Sequence, residues 1–142
     1  MSTIQKNFEQ KLNEVNIPFN YQEIEDGHHL YRFQYQITKS KSLMVEIIIQ
    51  ESEDAYVDGQ VIYRHVHALS DRSQEMQALE LINDLNGMRT GYYNLHLAGD
   101  GEIFLRSLVR MGEDPQAFYD TIVMGSAISK GVIQILHEKL GA

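Results

Sequence analysis

The runs LYRFQYQI (30–37) and LMVEIIIQ (43–50) change character at every second residue, and no other pattern in the chain restricts its fold so strongly. Successive side chains of a strand point to opposite faces. Tyr31, Phe33, Tyr35 and Ile37 therefore share one face, and Arg32, Gln34 and Gln36 the other. In the second run Leu43, Val45, Ile47 and Ile49 fall together, and Lys39-Ser40-Lys41 makes a short polar turn between the two runs. The pair predicts an antiparallel hairpin with one face in the core.

Around that hairpin the period changes in a readable order. Ile4, Phe8, Leu12 and Val15 recur at helical spacing, with Ser2 or Thr3 available as a cap and Asn16 and Pro18 as a stop. Asp26-Gly27 marks a turn after a short strand around Phe19 to Ile24. Tyr56 to Leu69 continues as strand although neither face is cleanly apolar, which predicts a bulge near Asp58-Gly59 or at Arg64. Ser70 to Ser73 is a helix-start cluster, followed by Met76, Leu79, Ile82 and Leu85 and an end near Gly87. Tyr93, Leu95 and Leu97 then alternate into Gly99-Asp100-Gly101, and Ile103, Leu105, Ser107 and Val109 alternate back. Asp114-Pro115 opens a last helix that runs toward Leu140. The expected fold is α+β: a single antiparallel sheet with helices packed mainly on one face, in the order α-β(3-4)-α-β-β-α.

At 142 residues this is one domain, 1–142, with no internal boundary. Twelve Lys and Arg against twenty Asp and Glu give a formal charge of -8, which repels phosphate backbones and anionic lipid, so neither nucleic acid nor membrane is an expected partner. The absence of cysteine removes disulfides and thiolate chemistry and fits a reducing compartment, and no signal-like apolar segment opens the chain. Cytoplasmic location is the expectation.

Few side chains offer chemistry. His65 and His67 flank Val66, and regular alternation would set both imidazoles on one face with their Cα atoms about 6.6 to 6.8 Å apart, with His96 or the His28-His29 pair as a third metal ligand. Two histidines on a solvated strand face look the same in sequence, so no metal or other cofactor is expected. Glu51, Glu53, Asp54 and Asp58 read as a charged, soluble turn. Ser107 and Ser126 lack the strained Gly-x-Ser-x-Gly setting of an esterase nucleophile, and GDG lacks the spacing and following helix of a phosphate loop. Tyr31, Phe33 and Tyr35 read as core packed under helices, and Gly125, Ser126, Ala127, Ser129 and Gly131 as a helix approached closely by the sheet, by a kink, or by another chain.

The stretch LINDLNGMRTGYYNLHLAGDGEIFLRSLV resembles the YbjN family of small bacterial proteins, sometimes labelled sensory transduction regulators. The resemblance rests on Leu85-Asn86, Gly91-Tyr92-Tyr93-Asn94-Leu95, Asp100-Gly101 and Ile103-Phe104-Leu105-Arg106. It departs where Ser107-Leu108-Val109-Arg110 prolongs the last strand. The family is similar in fold to the class I type III secretion chaperones, small acidic homodimers that hold an extended client segment. What the resemblance implies is a non-enzymatic, homodimeric protein-binding module, with a genuine secretion chaperone as the alternative. It places the dimer contact on the second helix, with Met76, Leu79, Asn83, Asn86 and Arg89 as candidates. Alternation directs Tyr92, Phe104 and Arg106 away from Tyr93 and Leu105, making them the candidate contacts to a client. The overall charge favours basic or neutral client segments. A metal-dependent enzyme built on His65 and His67 and a small-ligand sensor domain are the readings from other classes.

Overall fold

The computed structural model describes residues 1–141. The elements are α1 (Thr3–Glu14), β1 (Asn20–Glu23), β2 (His29–Gln36), β3 (Ser42–Ile49), β4 (Val57–Ala68), α2 (Glu75–Met88), β5 (Asn94–Leu97), β6 (Glu102–Met111) and α3 (Gln116–Leu140). The six strands form one antiparallel sheet in the order β1-β2-β3-β4-β6-β5. Four strands thus precede α2. The chain leaves β4 through α2, lays down β5 at the far edge, and returns as β6 into the gap, a split crossover in which β4 and β5 run in the same direction.

Local chemistry sets the ends of the helices. The Ser2 hydroxyl accepts from Gln5 N at the start of α1. The Asp71 carboxylate accepts from Ser73 N ahead of α2, and that of Asp114 from Gln116 N ahead of α3. The helices lie on one face of the sheet. Phe8 of α1 meets Tyr31 and Phe118 edge-on at 5.3 and 5.4 Å between ring centroids, tying α1, β2 and α3 into one cluster. Tyr31, Phe33, Leu43, Val45, Ile47, Val61, Tyr63, Leu95, Ile103 and Leu105 fill the same core.

The α2 stripe divides in two. Ile82 and Leu85, with Ala78, are buried, whereas Met76 and Leu79 are exposed at 69% and 45%. Spacing of three drifts about 60° per step around a helix, so a run at 76, 79, 82 and 85 winds off any one face.

The two glycines of α3 also part company. A Cβ on Gly125 would overlap the rings of Tyr63 and Tyr93, whose hydroxyls donate to the carbonyls of Ile122 and Thr121 at 2.5 and 2.6 Å. Burial pushes both phenols well above their ordinary titration range, so they stay donors. A Cβ on Gly131 would meet nothing within 4 Å. We expect Gly125→Ala to destabilise the fold by about 2 kcal/mol through overpacking. Gly131→Ala should stabilise it by up to about 1 kcal/mol through helix propensity. Urea denaturation reads both, and the same sign for the two would contradict this packing.

Candidate functional site

One face of the sheet carries no helix. Across β1 to β6 its rows are Gln22, Leu30, Ile48, Gln60 and Leu108, then Asn20, Arg32, Glu46, Ile62, Arg106 and Asn94. Leu30 and Ile62 are buried by their neighbours, Ile48 and Met44 are half-buried, and Leu108 is 68% exposed. Polar residues bracket this apolar strip. Arg32 Nε donates to Glu46 Oε2 at 2.8 Å, Arg64 bridges Glu46 at 3.7 Å and Glu102 at 2.6 Å, and Arg110 pairs with Asp58 at 3.0 Å.

The β4 bulge organises the end of this face. Register jumps between Tyr63 opposite Leu105 and His67 opposite Ile103, with His65 at φ 52°. Of the two predicted bulge positions, Arg64 is the one used. The Glu102 side chain, 3% exposed, holds the displaced loop by accepting from His65 N at 2.9 Å and from Arg64.

That bulge corrects the alternation expected for the two histidines. The His65 ring is exposed on the open face, with Nδ1 3.6 Å from Glu102. His67 is buried on the helix face, edge-on to His137 of α3 at 5.8 Å. His96 lies on the open face and stacks on Phe104 at 5.2 Å. His65 and His67 are thus separated by the sheet, and among the described residues no three His, Asp or Glu side chains converge to hold a metal ion.

The client-contact candidates behave differently. Phe104 is half-buried on the open face between His96 and the Arg64 guanidinium, 5.4 Å from its ring. Arg106 is half-buried beside it, opposite Asn94. Tyr92 is 76% exposed and precedes β5 rather than belonging to it; its carbonyl accepts from the Ser107 hydroxyl. Ser126 likewise donates to Val123 O, so neither serine hydroxyl is paired with a base.

On α2, Met76, Leu79 and Asn83 are exposed on the side that flanks β5, whose outer edge has no strand beside it. Asn86 is not free for a rim. Its amide donates to Leu95 O at 3.1 Å and accepts from Leu95 N at 2.7 Å, clamping β5 to the helix. Arg89 faces the other way, into a cleft of about 510 Å3 with Ala127, Ile128, Gly131 and Ile135 of α3. A second cleft of about 290 Å3, between Arg72, Glu75 and Leu79 and the β5–β6 turn, is likewise rimmed by charge.

A further group was not foreseen from sequence. Tyr21, His29 and Glu51 form a hydrogen-bonded chain at the β1 edge, Tyr21 Oη to His29 Nδ1 at 2.7 Å and His29 Nε2 to Glu51 Oε2 at 2.8 Å. These residues are brought together by the Glu23–His29 and His29–Ile49 registers, which no local pattern announces. No family model matches the chain, and no curated protein matches it.

Two imidazoles, His67 buried and His96 half-buried, give a pH dependence. Burial, then the neighbouring His137 and Lys41, lowers the pKa of His67 below its ordinary 6.5. Burial, then Arg106, lowers that of His96. Each binds its proton less tightly in the folded chain, so unfolding takes protons up. Their contribution is fully present above about pH 7 and declines as the pH falls below 6.5. The urea midpoint should fall between pH 7 and 5, and less steeply in His67→Leu. Equal slopes in the two proteins would exclude His67 as a source.

Proposed function

We infer that the chain is a homodimeric, non-enzymatic protein-binding module of the YbjN type, chaperone-like or regulatory, working in the cytoplasm. The observation that carries this is the helix-free sheet face, where Ile48, Met44, Phe104 and Leu108 offer apolar surface between arginines. A broad, shallow surface of that kind suits a polypeptide segment better than a small molecule, which calls for a concave apolar pocket. Of the two clefts described above, the one at the β5–β6 turn is rimmed by Asp71, Arg72, Glu75 and Asp100, which speaks against it as a site for an apolar ligand.

Local charge changes which segment fits. Arg32, Arg64, Arg106 and Arg110 lie on this face against Glu46, Asp58 and Glu102, and Arg106 lacks an ion-pair partner among the described residues. The preference drawn from the net charge of -8 does not hold for this surface: a neutral or acidic apolar segment matches it. Tyr92, Phe104 and Arg106 are the contacts of choice. A genuine type III secretion chaperone is the narrower form of the same reading, recognised by an exported client.

The dimer contact is the exposed stripe of Met76, Leu79 and Asn83 beside the outer edge of β5; Arg89, turned toward α3, lies outside it. Light scattering should give twice the chain mass of 16.4 kDa, and Leu79→Asp should return it to one chain. Retrieval of client from a lysate of the source organism should fall about five- to thirtyfold in Phe104→Ala and Arg106→Glu while the mass stays unchanged, the loss of a central contact being worth about 1 to 2 kcal/mol. Wild-type protein running as a single chain rejects the dimer. A client held equally by both variants rejects this face.

A further inference from the structure

The chain Tyr21–His29–Glu51 has the connectivity of a hydroxyl, a base and an orienting carboxylate. An ionised carboxylate has no proton to give, so Glu51 fixes the hydrogen of His29 on Nε2. The Nδ1 lone pair is then left to accept from the Tyr21 hydroxyl. The base is held rather than mobile. His29 is 5% exposed and stacks on Tyr21 at 5.8 Å between ring centroids, and Tyr21 leans on Tyr31 at 5.1 Å. Glu51 is anchored in turn, since its backbone N–H donates to Nδ1 of His28 at 2.9 Å. Tyr21 itself is 43% exposed on an edge strand, so part of its side chain is open to a reagent.

We propose that Tyr21 is an activated nucleophile and the site at which this protein is O-acylated by activated acyl donors, with His29 as the base and Glu51 as its positioning residue. In the step, Tyr21 Oη bonds to the acyl carbon and the bond from that carbon to the leaving group breaks. The phenolic proton moves to His29 Nδ1, and the leaving group departs as its anion. The imidazolium, stabilised by Glu51, then returns its proton to water. No oxidant or further reactant enters. Neither the sheet face nor the dimer contact of the proposed function is involved, so the site stands or falls apart from them.

Tyr56 and Tyr92 provide an internal reference, because they are 61% and 76% exposed against 43% for Tyr21. Accessibility alone would make Tyr21 the slowest of the three. With p-nitrophenyl acetate as probe and peptide mass spectrometry to read each tyrosine, the proposal expects Tyr21 to be acetylated about tenfold faster than Tyr92, the low end of what a positioned base supplies. His29→Phe should bring Tyr21 to or below the rate of Tyr92. Glu51→Gln keeps an acceptor for Nε2–H but removes the charge, and should cost several-fold at Tyr21 while leaving Tyr56 and Tyr92 unchanged. If His29→Phe does not fold, Glu51→Gln decides. A wild-type Tyr21 no faster than Tyr92 overturns the proposal, and so does a Tyr21 advantage that is undiminished in the folded variants.

Discussion

Two phenol hydroxyls, from Tyr63 of β4 and Tyr93 just before β5, reach across the layer boundary to consecutive carbonyls of α3. They draw that helix onto the sheet at Gly125, where any side chain would collide with the rings. The remaining architecture hangs on this contact. α3 seated there presents Phe118 to Phe8, which fixes α1 over β2, and its C-terminal turn receives Gln74 and Gln77 of the α2 segment at the carbonyls of Leu140 and Lys139. A buried hydroxyl without an acceptor would carry a penalty of about 1 to 3 kcal/mol, so each tyrosine both fills volume and dictates where the helix lies.

The bulge in β4 plays the complementary role on the opposite face. By inserting residues between Tyr63 and His67 it turns His67 under α3 and leaves His65 in solvent. It also creates a loop whose amide needs an acceptor, and the buried Glu102 carboxylate supplies one. That carboxylate holds Arg64, which reaches Glu46 and covers Phe104. A backbone irregularity thereby determines which charges and which aromatic ring the open face presents.

Much of this was legible in the chain. The hairpin of β2 and β3, the strand ending in Leu97, the helix starts near Ser2, within Ser70 to Ser73 and at Asp114, and a bulge in β4, though not which of two positions it takes, are all local, encoded by side-chain period or by a polar residue next to its own amide partner. The candidate site was only half legible. Alternation put Phe104 and Arg106 on the correct face because β6 is regular there, but the same rule failed for His65 and His67, where the strand is not. Asn86 read as a surface residue because its two partners are the backbone atoms of Leu95, nine positions away.

By itself, the sequence determined the elements, their order, and the apolar side of the regular strands β2, β3, β5 and β6, because those follow from periodicity over a few residues and from steric rules that act within one turn or one strand. Only the tertiary structure decided that β6 lies between β4 and β5, which side chains the helix-free sheet face presents, and that Tyr21, His29 and Glu51 meet. These are relations between segments far apart along the chain. They are fixed by which packing buries the most apolar surface while pairing nearly all the inner polar groups, a condition that belongs to the whole molecule and to no single stretch of it.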